Sequence, residues 1–310
     1  MNQTHATSGT SAHHGRRTGR TASYRIASVS AYLFLGFVSL LTLFPFWYEI
    51  AASLSSSRAI TSGEVFLWPV EFNVVAYKRL IEDGQLFVAM RNTVVVTIVG
   101  TVLNMAMTIL AAYPLSRRRL FGRSALLVFI TVTMLFVAGI IPNFILIKSL
   151  GLMNSYWAVW LPGLISTYNM FVMKTFMEGL PEEIEESAAI DGAGDWRILL
   201  QIFMPLCKPI LAALSLFYAV GWWNSYFNVL LYITKSTKLT IMVKLYQMVN
   251  KVDDNLLNNI SGNEAAEHIM LTPEAIKAAA VVIAVAPILC VYPFLQRHFV
   301  KGVLIGSVKG

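Results

Sequence analysis

The chain has 310 residues, of which 56% are hydrophobic and only 13% are charged. A soluble domain carries about 25% charged residues, so this composition excludes an ordinary soluble enzyme or binding module and indicates a membrane protein. The net charge of +7 does not indicate nucleic-acid binding, because the basic residues cluster at the ends of apolar runs. They do not form a stripe interleaved with exposed aromatic residues.

The first 25 residues form a polar tail with four arginines. The apolar run that follows, 26–50, is longer than the hydrophobic region of a secretory signal, and no clean small-residue cleavage pattern follows it. We therefore expect this run to be retained as the first membrane span. The chain then divides into a tail at 1–25 and a transmembrane domain at 26–310.

Five more apolar runs approach the ~20 residues that cross the hydrocarbon core of a bilayer. We therefore predict an all-α polytopic membrane protein with six transmembrane helices. Prolines inside several runs are compatible with spans, because neighbouring helices can satisfy the carbonyls that a proline frees. The six predicted spans cover residues 26–50, 86–115, 124–147, 158–176, 209–233 and 275–295.

The turn at 117–123 is short and carries four arginines, so the positive-inside rule places it in the cytoplasm. Six spans then put both termini in the cytoplasm, including a C-terminal tail at 297–310. The loop at 178–208 joins the fourth and fifth spans on the same side. The loop at 234–274 becomes a long extracytoplasmic connection.

The loop at 178–208, which we call the acidic loop, is predicted to form a short helix between two breaks. Pro181 suits the first helical turn, where no N–H is needed, and acidic residues follow it near the positive end of the helix dipole. Gly192 stops this helix, and Asp195 can cap a second one. Small side chains on the first helix would let the groove of another protein approach closely. An ordinary amphipathic loop helix is the alternative.

Five residues of the acidic loop follow the spacing E-x-A-x-x-x-G, nine residues, and then I-x-M-P. They are Glu186, Ala188, Gly192, Ile202 and Pro205. This spacing resembles the EAA loop of ABC importer permeases, although Ser187 and Met204 stand where that family usually has Ala and Leu. The resemblance implies that the loop is a coupling helix, which in this family docks into a cleft of the ATPase subunit.

Two further segments extend the resemblance. The last nine residues, 302–310, resemble the C-terminal tail of carbohydrate-importer permeases similar to the maltose importer, which can reach the ATPase dimer interface. Gly-Trp-Trp-Asn-Ser-Tyr-Phe at 221–227 resembles the oligosaccharide and polysaccharide branch, which includes permeases for aldouronates and alginate. The resemblance implies ATPase-coupling roles for Glu186, Ser187, Ala188, Ala189, Asp191, Gly192, Gly306 and Lys309.

The sequence has no phosphate-binding G-x-x-x-x-G-K-S/T loop, no zinc motif and no G-x-S-x-G nucleophile elbow. We therefore expect no enzyme activity and no cofactor bound by this chain, with ATP and Mg held by separate ATPase subunits. The resemblance implies a multi-pass protein of the inner membrane, embedded in lipid. Its implied partners are a homologous permease subunit, two ATPase subunits, an extracytoplasmic solute-binding protein and a glycan.

Polar residues recur at steps of three and four along the second predicted span, which places them on one helix face. Polar groups in hydrocarbon should face protein or a watery cavity, so Thr97, Thr101 and Asn104 are candidate substrate-path residues. Helix–helix packing is an equally good explanation, because Thr and Gly100 also favour close contacts.

The upper part of the fifth predicted span holds a second candidate group: Trp223, Asn224, Tyr226 and Asn228. Aromatic faces and side-chain amides bind sugar rings, so these residues suit a glycan passage. The alternative is the aromatic belt that membrane proteins place at the interface with water.

Two other classes of function are alternatives. A secondary transporter of a polar solute would usually carry buried acidic residues for ion coupling, and the interiors of the predicted spans contain almost none. An intramembrane enzyme would need a nucleophile and a base, and the spans contain no histidine. We therefore predict the permease subunit of an ABC importer for an oligo- or polysaccharide, with alginate as the narrowest candidate.

Overall fold

The computed structural model describes residues 22–82, 84–136, 138–248 and 272–306, and every regular element within them is a helix. The chain divides into two units, Met1–Tyr48 and Glu49–Gly310. The described part of the first unit belongs to one helix, α1, which runs Ala22–Ser53 and so ends within the second. The prediction of an all-α protein is confirmed for the described residues.

The second unit is a series of long and short helices with brief connections. In chain order they are α2 (Ser57–Thr61), α3 (Val75–Glu82), α4 (Gln85–Ser116), α5 (Arg123–Leu135), α6 (Ile140–Ser149), α7 (Trp157–Trp160), α8 (Thr167–Glu178), α9 (Glu182–Ile190), α10 (Asp195–Leu206), α11 (Lys208–Trp223), α12 (Phe227–Tyr232), α13 (241–248) and α14 (Pro273–Gly306). Helix α4 is central: it packs against α8 and α11, and α11 in turn packs against α14.

Three helices in the described ranges are long and apolar enough to cross a membrane. Two bent helix pairs meet the same test only when each pair is counted as one span, so the structure supports three to five spans. The three helices are Ala27–Ser53, Gln85–Ser116 and Pro273–Cys290, and the bent pairs are Arg123–Leu135 with Ile140–Ser149 and Asp195–Leu206 with Lys208–Trp223.

Apolar side chains form clusters at two levels of α4. Near its C-terminal end, Tyr113 packs with Met173 of α8 and Phe203 of α10. Further towards its N-terminal end, Val96 belongs to a cluster with Trp222 of α11. Because one continuous helix takes part in both clusters, α4 connects the two regions that carry the candidate functional residues.

The prediction of a single fourth helix over 158–176 is wrong. A 3-10 turn at Leu161–Gly163 follows α7, and α8 begins only after Ser166, whose hydroxyl accepts a hydrogen bond from the Asn169 N–H at 3.4 Å. Pro162 explains the break, because it has no N–H to donate within a continuing α-helix.

The predicted fifth span, 209–233, is also interrupted. Helix α11 ends at Trp223 and α12 begins at Phe227. Asn224 and Tyr226 therefore lie in a break between two helices, and the expectation that they continue one helical face is wrong.

The acidic loop contains the predicted short helix, since α9 begins directly after Pro181. It ends in a Schellman motif. The Ala193 N–H donates to the Ala188 carbonyl at 2.9 Å, and the Gly192 N–H donates to the Ala189 carbonyl at 3.0 Å. Gly192 has a φ angle of 79°, a left-handed conformation that glycine adopts without steric cost.

The predicted capping role of Asp195 is wrong. Gly194 occupies the cap position, and Asp195 is the first residue of α10. Helix α10 contains a π-helical stretch at Ile198–Phe203 and is bent by 83° from α11. The bend falls between Pro205 and Pro209, which together remove two backbone donors.

Part of the described loop at 234–274 is core. Leu239 and Val243 are buried in the cluster around Trp222, and residues 249–271 lie outside the described ranges. The loop therefore contributes to the packing of the second unit as well as connecting two helices.

The end of the last span also differs from its prediction. Helix α14 continues to Gly306, well past the predicted boundary at 295. The predicted tail at 297–310 is thus helical as far as Gly306, and Lys309 lies outside the described residues.

Candidate functional sites

The turn at 117–123 between α4 and α5, the arginine turn, holds the acidic loop through ion pairs. Arg117 Nη1 lies 2.6 Å from Glu185 Oε2, and the two side chains are only 9% and 12% exposed. Arg119 lies 3.3 Å from the other Glu185 oxygen and also pairs with Asp195. A single carboxylate of α9 is thus bound by two arginines of the turn.

The remaining two arginines also face carboxylates. Arg123 pairs with Glu178 at the end of α8. Arg118 lies 3.7 Å from Glu182, and both of those side chains are largely exposed. All four arginines of the turn are therefore paired, and the acidic loop is fixed beside the C-terminal end of α4.

Arg117 has the most complete set of partners. Its Nη2 donates to the Met177 carbonyl at 3.1 Å and its Nε donates to Ser116 Oγ at 3.0 Å. Its guanidinium carbon lies 4.4 Å from the centroid of the Phe203 ring, within the range of a cation–π contact. These contacts compensate a charge that would be costly to bury alone.

The environment of Arg119 favours its charged form. Burial alone would lower the pKa of Arg119, but the hydrogen bond to Asp195 and the charges of Asp195 and Glu185 raise it above its usual value. The two carboxylates thus further stabilise the charged form of this guanidinium.

Sequence reasoning used the arginine turn only to orient the chain and missed its contact with the acidic loop. The available signal was the placement of a basic loop and an acidic loop on the same predicted side of the membrane. Opposite charges on adjacent loops of one bundle are expected to attract.

The predicted coupling residues divide by exposure. Five of them are exposed, and Ala188 is partly buried against the cluster around Tyr113 and Phe203. Helix α9 thus presents one face of small and acidic side chains outward and turns its Glu185 face inward. The exposed five are Glu186, Ser187, Ala189, Asp191 and Gly192.

An open cleft of about 540 Å³ lies beside the break between α11 and α12. We call it the polar cavity for its neutral polar groups, although apolar surface makes up the larger share of its wall. Its lining residues carry amides, hydroxyls and aromatic rings, and none of them is charged. Four predicted substrate-path residues line it: Asn104, Asn224, Tyr226 and Asn228. Sequence reasoning missed Ser166 as a lining residue. It was assigned to the middle of the predicted fourth helix, but it lies in the break before α8.

The structure places Trp223 away from the cavity. Its indole N–H donates to the Ala284 carbonyl of α14 at 3.3 Å, so the ring packs between α11 and α14. Trp222 lines the cavity instead. Trp222 and Trp223 lie on different faces of α11, and which face meets the cavity is set by the packing of α11 against α4 and α14.

Asn104 positions Trp222. Its Oδ1 accepts a hydrogen bond from the Trp222 indole at 2.6 Å, and its Nδ2 donates to the Gly163 and Leu164 carbonyls at 2.6 and 2.9 Å. The break after α7 exposes those two carbonyls. A Cβ on Gly100 would lie 2.7 Å from the indole, so the absence of a side chain there is required for the ring to fit.

The polar face of α4 serves mainly helix packing. The Thr93 hydroxyl accepts from the Ile241 N–H at 2.8 Å, and the Thr108 and Tyr218 hydroxyls are 2.7 Å apart. The Thr97 and Thr101 hydroxyls are buried without a hydrogen-bond partner among the described residues, and neither residue lines the cavity. Of the three predicted threonine and asparagine candidates, only Asn104 reaches it.

The described residues contain no group of three or more His, Cys, Asp or Glu side chains that could hold a metal ion.

Residues 104–305 match the family described as binding-protein-dependent transport system inner membrane component. The chain belongs to this family. Protein LplC of Bacillus subtilis is 40% identical over 290 residues, covering 94% of this chain and 97% of LplC. The polygalacturonan/rhamnogalacturonan transport system permease protein YtcP of the same organism is 40% identical over 289 residues. The match covers 92% of this chain and 99% of YtcP. The predicted resemblance to importer permeases is confirmed.

Solved structures of importers contain similar chains. One is a bacterial ABC transporter involved in the import of the acidic polysaccharide alginate, with a TM-score of 0.81 and 30% identity, covering 90% of this chain and 98% of that one. Another, a bacterial alginate ABC transporter in complex with an alginate pentasaccharide-bound periplasmic protein, has a TM-score of 0.54 at 16% identity. That likeness shows a shared fold.

Proposed function

We propose that this chain is a permease subunit that passes a glycan from an external binding protein into the cytoplasm, driven by separate ATPase subunits. Family membership supports the importer class. The observation that carries the glycan is the polar cavity, whose amides, hydroxyls and aromatic rings can hydrogen-bond sugar hydroxyls and cover ring faces.

Among glycans, the relatives favour an acidic oligo- or polysaccharide. YtcP, named for polygalacturonan and rhamnogalacturonan, is 40% identical, whereas the maltodextrin transport system permease protein MdxG of Bacillus subtilis is 28% identical. The similar solved structure belongs to an importer of alginate. Alginate itself is the narrowest form of the proposal. In either case this chain would contact the sugar through its hydroxyls and ring faces.

The proposed arrangement in the inner membrane has six spans and both termini in the cytoplasm. It counts each bent pair as one span and the interrupted α7–α8 segment as a broken fourth span. The four arginines at 117–123 support a cytoplasmic position for that turn. The acidic loop, which is ion-paired to the turn, then lies on the same side.

Coupling to the ATPase is proposed for the exposed face of α9. Small side chains at Ser187 and Ala189, flanked by Glu186 and Asp191, allow close approach of a groove in the ATPase subunit. Gly192 sets the turn that follows. Gly306 and Lys309 are proposed to reach the interface of the two ATPase subunits from the C-terminal end.

The proposed complex contains a homologous permease subunit, two ATPase subunits that hold ATP and Mg, and an external solute-binding protein. A cavity on one permease subunit would be completed by the facing subunit. The cavity is lined by residues of α4, α8, α11 and α12 and is open to the outside of the chain, which leaves room for that second subunit.

Reconstitution tests the proposal. The complete complex in proteoliposomes should import oligogalacturonate or alginate oligosaccharides when ATP and the loaded binding protein are supplied, and should import maltodextrin poorly. Uptake that needs an ion gradient and no ATP would instead identify a secondary transporter. Equal uptake of maltodextrin would contradict the acidic-glycan assignment while leaving the importer class intact.

A further inference from the structure

Three ion pairs connect α9 to the arginine turn: Arg117 and Arg119 share Glu185, and Arg118 pairs with Glu182. The pairs of Arg117 and Arg118 differ in burial. Arg117 and Glu185 are 2.6 Å apart and 9% and 12% exposed, whereas Arg118 and Glu182 are 3.7 Å apart and 87% and 66% exposed. An exposed pair is weakened by water and salt. A buried pair fixes the separation of its two elements, because parting them leaves an uncompensated charge in the protein interior.

Arg117 also links α9 to three other helices. Its side chain bonds Ser116 of α4 and the Met177 carbonyl of α8, and its guanidinium lies over the Phe203 ring of α10. One side chain thus meets α4, α8, α9 and α10. Helix α9 cannot shift relative to the end of α4 without breaking contacts to several helices at once.

The same helix reaches the polar cavity at another level. Asn104 lies roughly 20 Å from Arg117 along α4, at 1.5 Å per residue. Asn104 in turn bonds the Trp222 indole and the carbonyls of the break after α7. A displacement of α4 therefore reaches the cavity wall through direct hydrogen bonds.

We propose that the Arg117–Glu185 pair is the joint that passes movement of α9 to α4 and so to the cavity wall. Both are positioning residues, because they act through the helices they join and not by contact with solute or nucleotide. This inference rests on the proposed docking of α9 with an ATPase subunit. The exposed Arg118–Glu182 pair links the same two segments but does not transmit this movement.

The test uses the complete complex in proteoliposomes with four single variants. Arg117→Gln and Glu185→Gln neutralise the buried pair, while Arg118→Gln and Glu182→Gln are matched controls on the same two segments. Three quantities are measured: ATP hydrolysis without binding protein, its stimulation by loaded binding protein, and glycan imported per ATP. A purely structural role would lower all three together through loss of assembled complex.

For the buried-pair variants we expect unstimulated hydrolysis to stay within about twofold of wild type, while import per ATP falls about tenfold or more. The control variants should stay within about twofold in every measurement. Glu185→Gln decides the outcome if Arg117→Gln does not assemble, because Gln keeps the size of Glu but removes the charge that binds Arg117 and Arg119.

Normal coupling in Glu185→Gln would overturn the proposal, and so would an equal loss of coupling in Glu182→Gln. Failure of the proposed function has a different signature, since the wild-type complex itself would then import no acidic glycan. In that case the stimulation of ATP hydrolysis by the binding protein still tests whether the Arg117–Glu185 pair is the joint. We expect this stimulation to be about tenfold lower in Glu185→Gln than in wild type.

Discussion

The arginine turn and the polar cavity lie at two levels of α4, and their chemistry is opposite. At the arginine turn every arginine faces a carboxylate, and the central pair is buried. In the cavity no lining residue is charged, and the polar groups are amides and hydroxyls. One helix thus connects a region held by charge to a region lined by neutral groups.

The difference matches the roles that we propose for the two regions. A buried ion pair resists separation, because either charge left alone is strongly unfavourable. A neutral hydrogen bond contributes only about 0.5–1.5 kcal/mol, so it can be exchanged between protein, water and solute at little net cost. The proposed joint requires resistance to separation. The proposed passage must release its sugar, so it requires hydrogen bonds that exchange readily.

Removing one charge from the buried Arg117–Glu185 pair should give the largest effect. Glu185→Leu leaves Arg117 buried without its carboxylate, and we expect the free energy of unfolding to fall by about 3 kcal/mol or more. The double variant Arg117→Met with Glu185→Leu should recover most of that loss, since apolar replacement of a buried pair is often neutral. Thermal unfolding of the purified complex measures both.

In the double variant we expect stability to recover while the coupling of ATP hydrolysis to import stays low. The double variant is expected to fold but to import little glycan per ATP, because the helices no longer share the joint. Glu182→Leu is the exposed control and should cost less than about 1 kcal/mol. A double variant that is no more stable than the single one would show that the charges do not interact as a pair.

Placing a charge in the neutral region should have the next largest effect. Asn104→Asp turns two hydrogen bonds into contacts between acceptors, because the Gly163 and Leu164 carbonyls now accept at 2.6 and 2.9 Å. We expect a loss of roughly 2–3 kcal/mol in unfolding free energy, measured by thermal unfolding and by the yield of assembled complex. Asn224→Asp, at an exposed position, is the control and should change stability little. Wild-type stability of Asn104→Asp would contradict the hydrogen-bonding role of this amide.

The turn after α9 offers a smaller effect with a closely matched control. Gly192→Ala forces a side chain into a left-handed conformation, which costs about 1–2 kcal/mol. No atom lies within 4 Å of the added Cβ, so the cost is backbone strain alone. Gly194→Ala has equal space and a φ angle of −73°, and it should be nearly neutral.

In Gly192→Ala, both the unfolding temperature and the stimulation of ATP hydrolysis should fall. In Gly194→Ala, both should stay close to wild type. Thermal unfolding and hydrolysis with loaded binding protein are measured on the same preparations. Equal behaviour of the two variants would show that the left-handed turn does not shape the proposed docking face.

Local sequence patterns predicted the limits of α9, the family and one residue of the cavity. Pro181 and Gly192 marked the limits of α9 because their backbone preferences act within a few residues. The family was recognisable from the spacing in the acidic loop. Asn104 was found because a polar residue in an apolar helix needs a partner, whichever partner it is.

What failed depended on contacts between distant segments. Trp223 was placed on the substrate path because an apolar run does not show which face of α11 packs against α14. Asp195 was expected to cap a helix, but Arg119, far away in sequence, pairs with it. The Arg117–Glu185 pair was missed for the same reason, since one sequence does not show which loops meet.

The smallest expected effect comes from a single amide in the cavity. Asn228 lines it beside Asn224 and Tyr226, and Asn228→Ala should remove one hydrogen bond to a bound sugar. One such bond is worth about 1 kcal/mol, so we expect KM for import to rise several-fold while assembly and unstimulated ATP hydrolysis are retained. Initial rates of uptake at several concentrations of loaded binding protein give KM and maximal rate separately.

Trp223→Phe is the control because Trp223 was predicted on the same path but packs against α14. It keeps an aromatic ring and loses only the 3.3 Å bond to the Ala284 carbonyl, so import per assembled complex should match wild type. An unchanged KM in Asn228→Ala together with a raised KM in Trp223→Phe would move the passage to the contact between α11 and α14. The opposite result would place the sugar at the break between α11 and α12, where neutral groups can bind and release it.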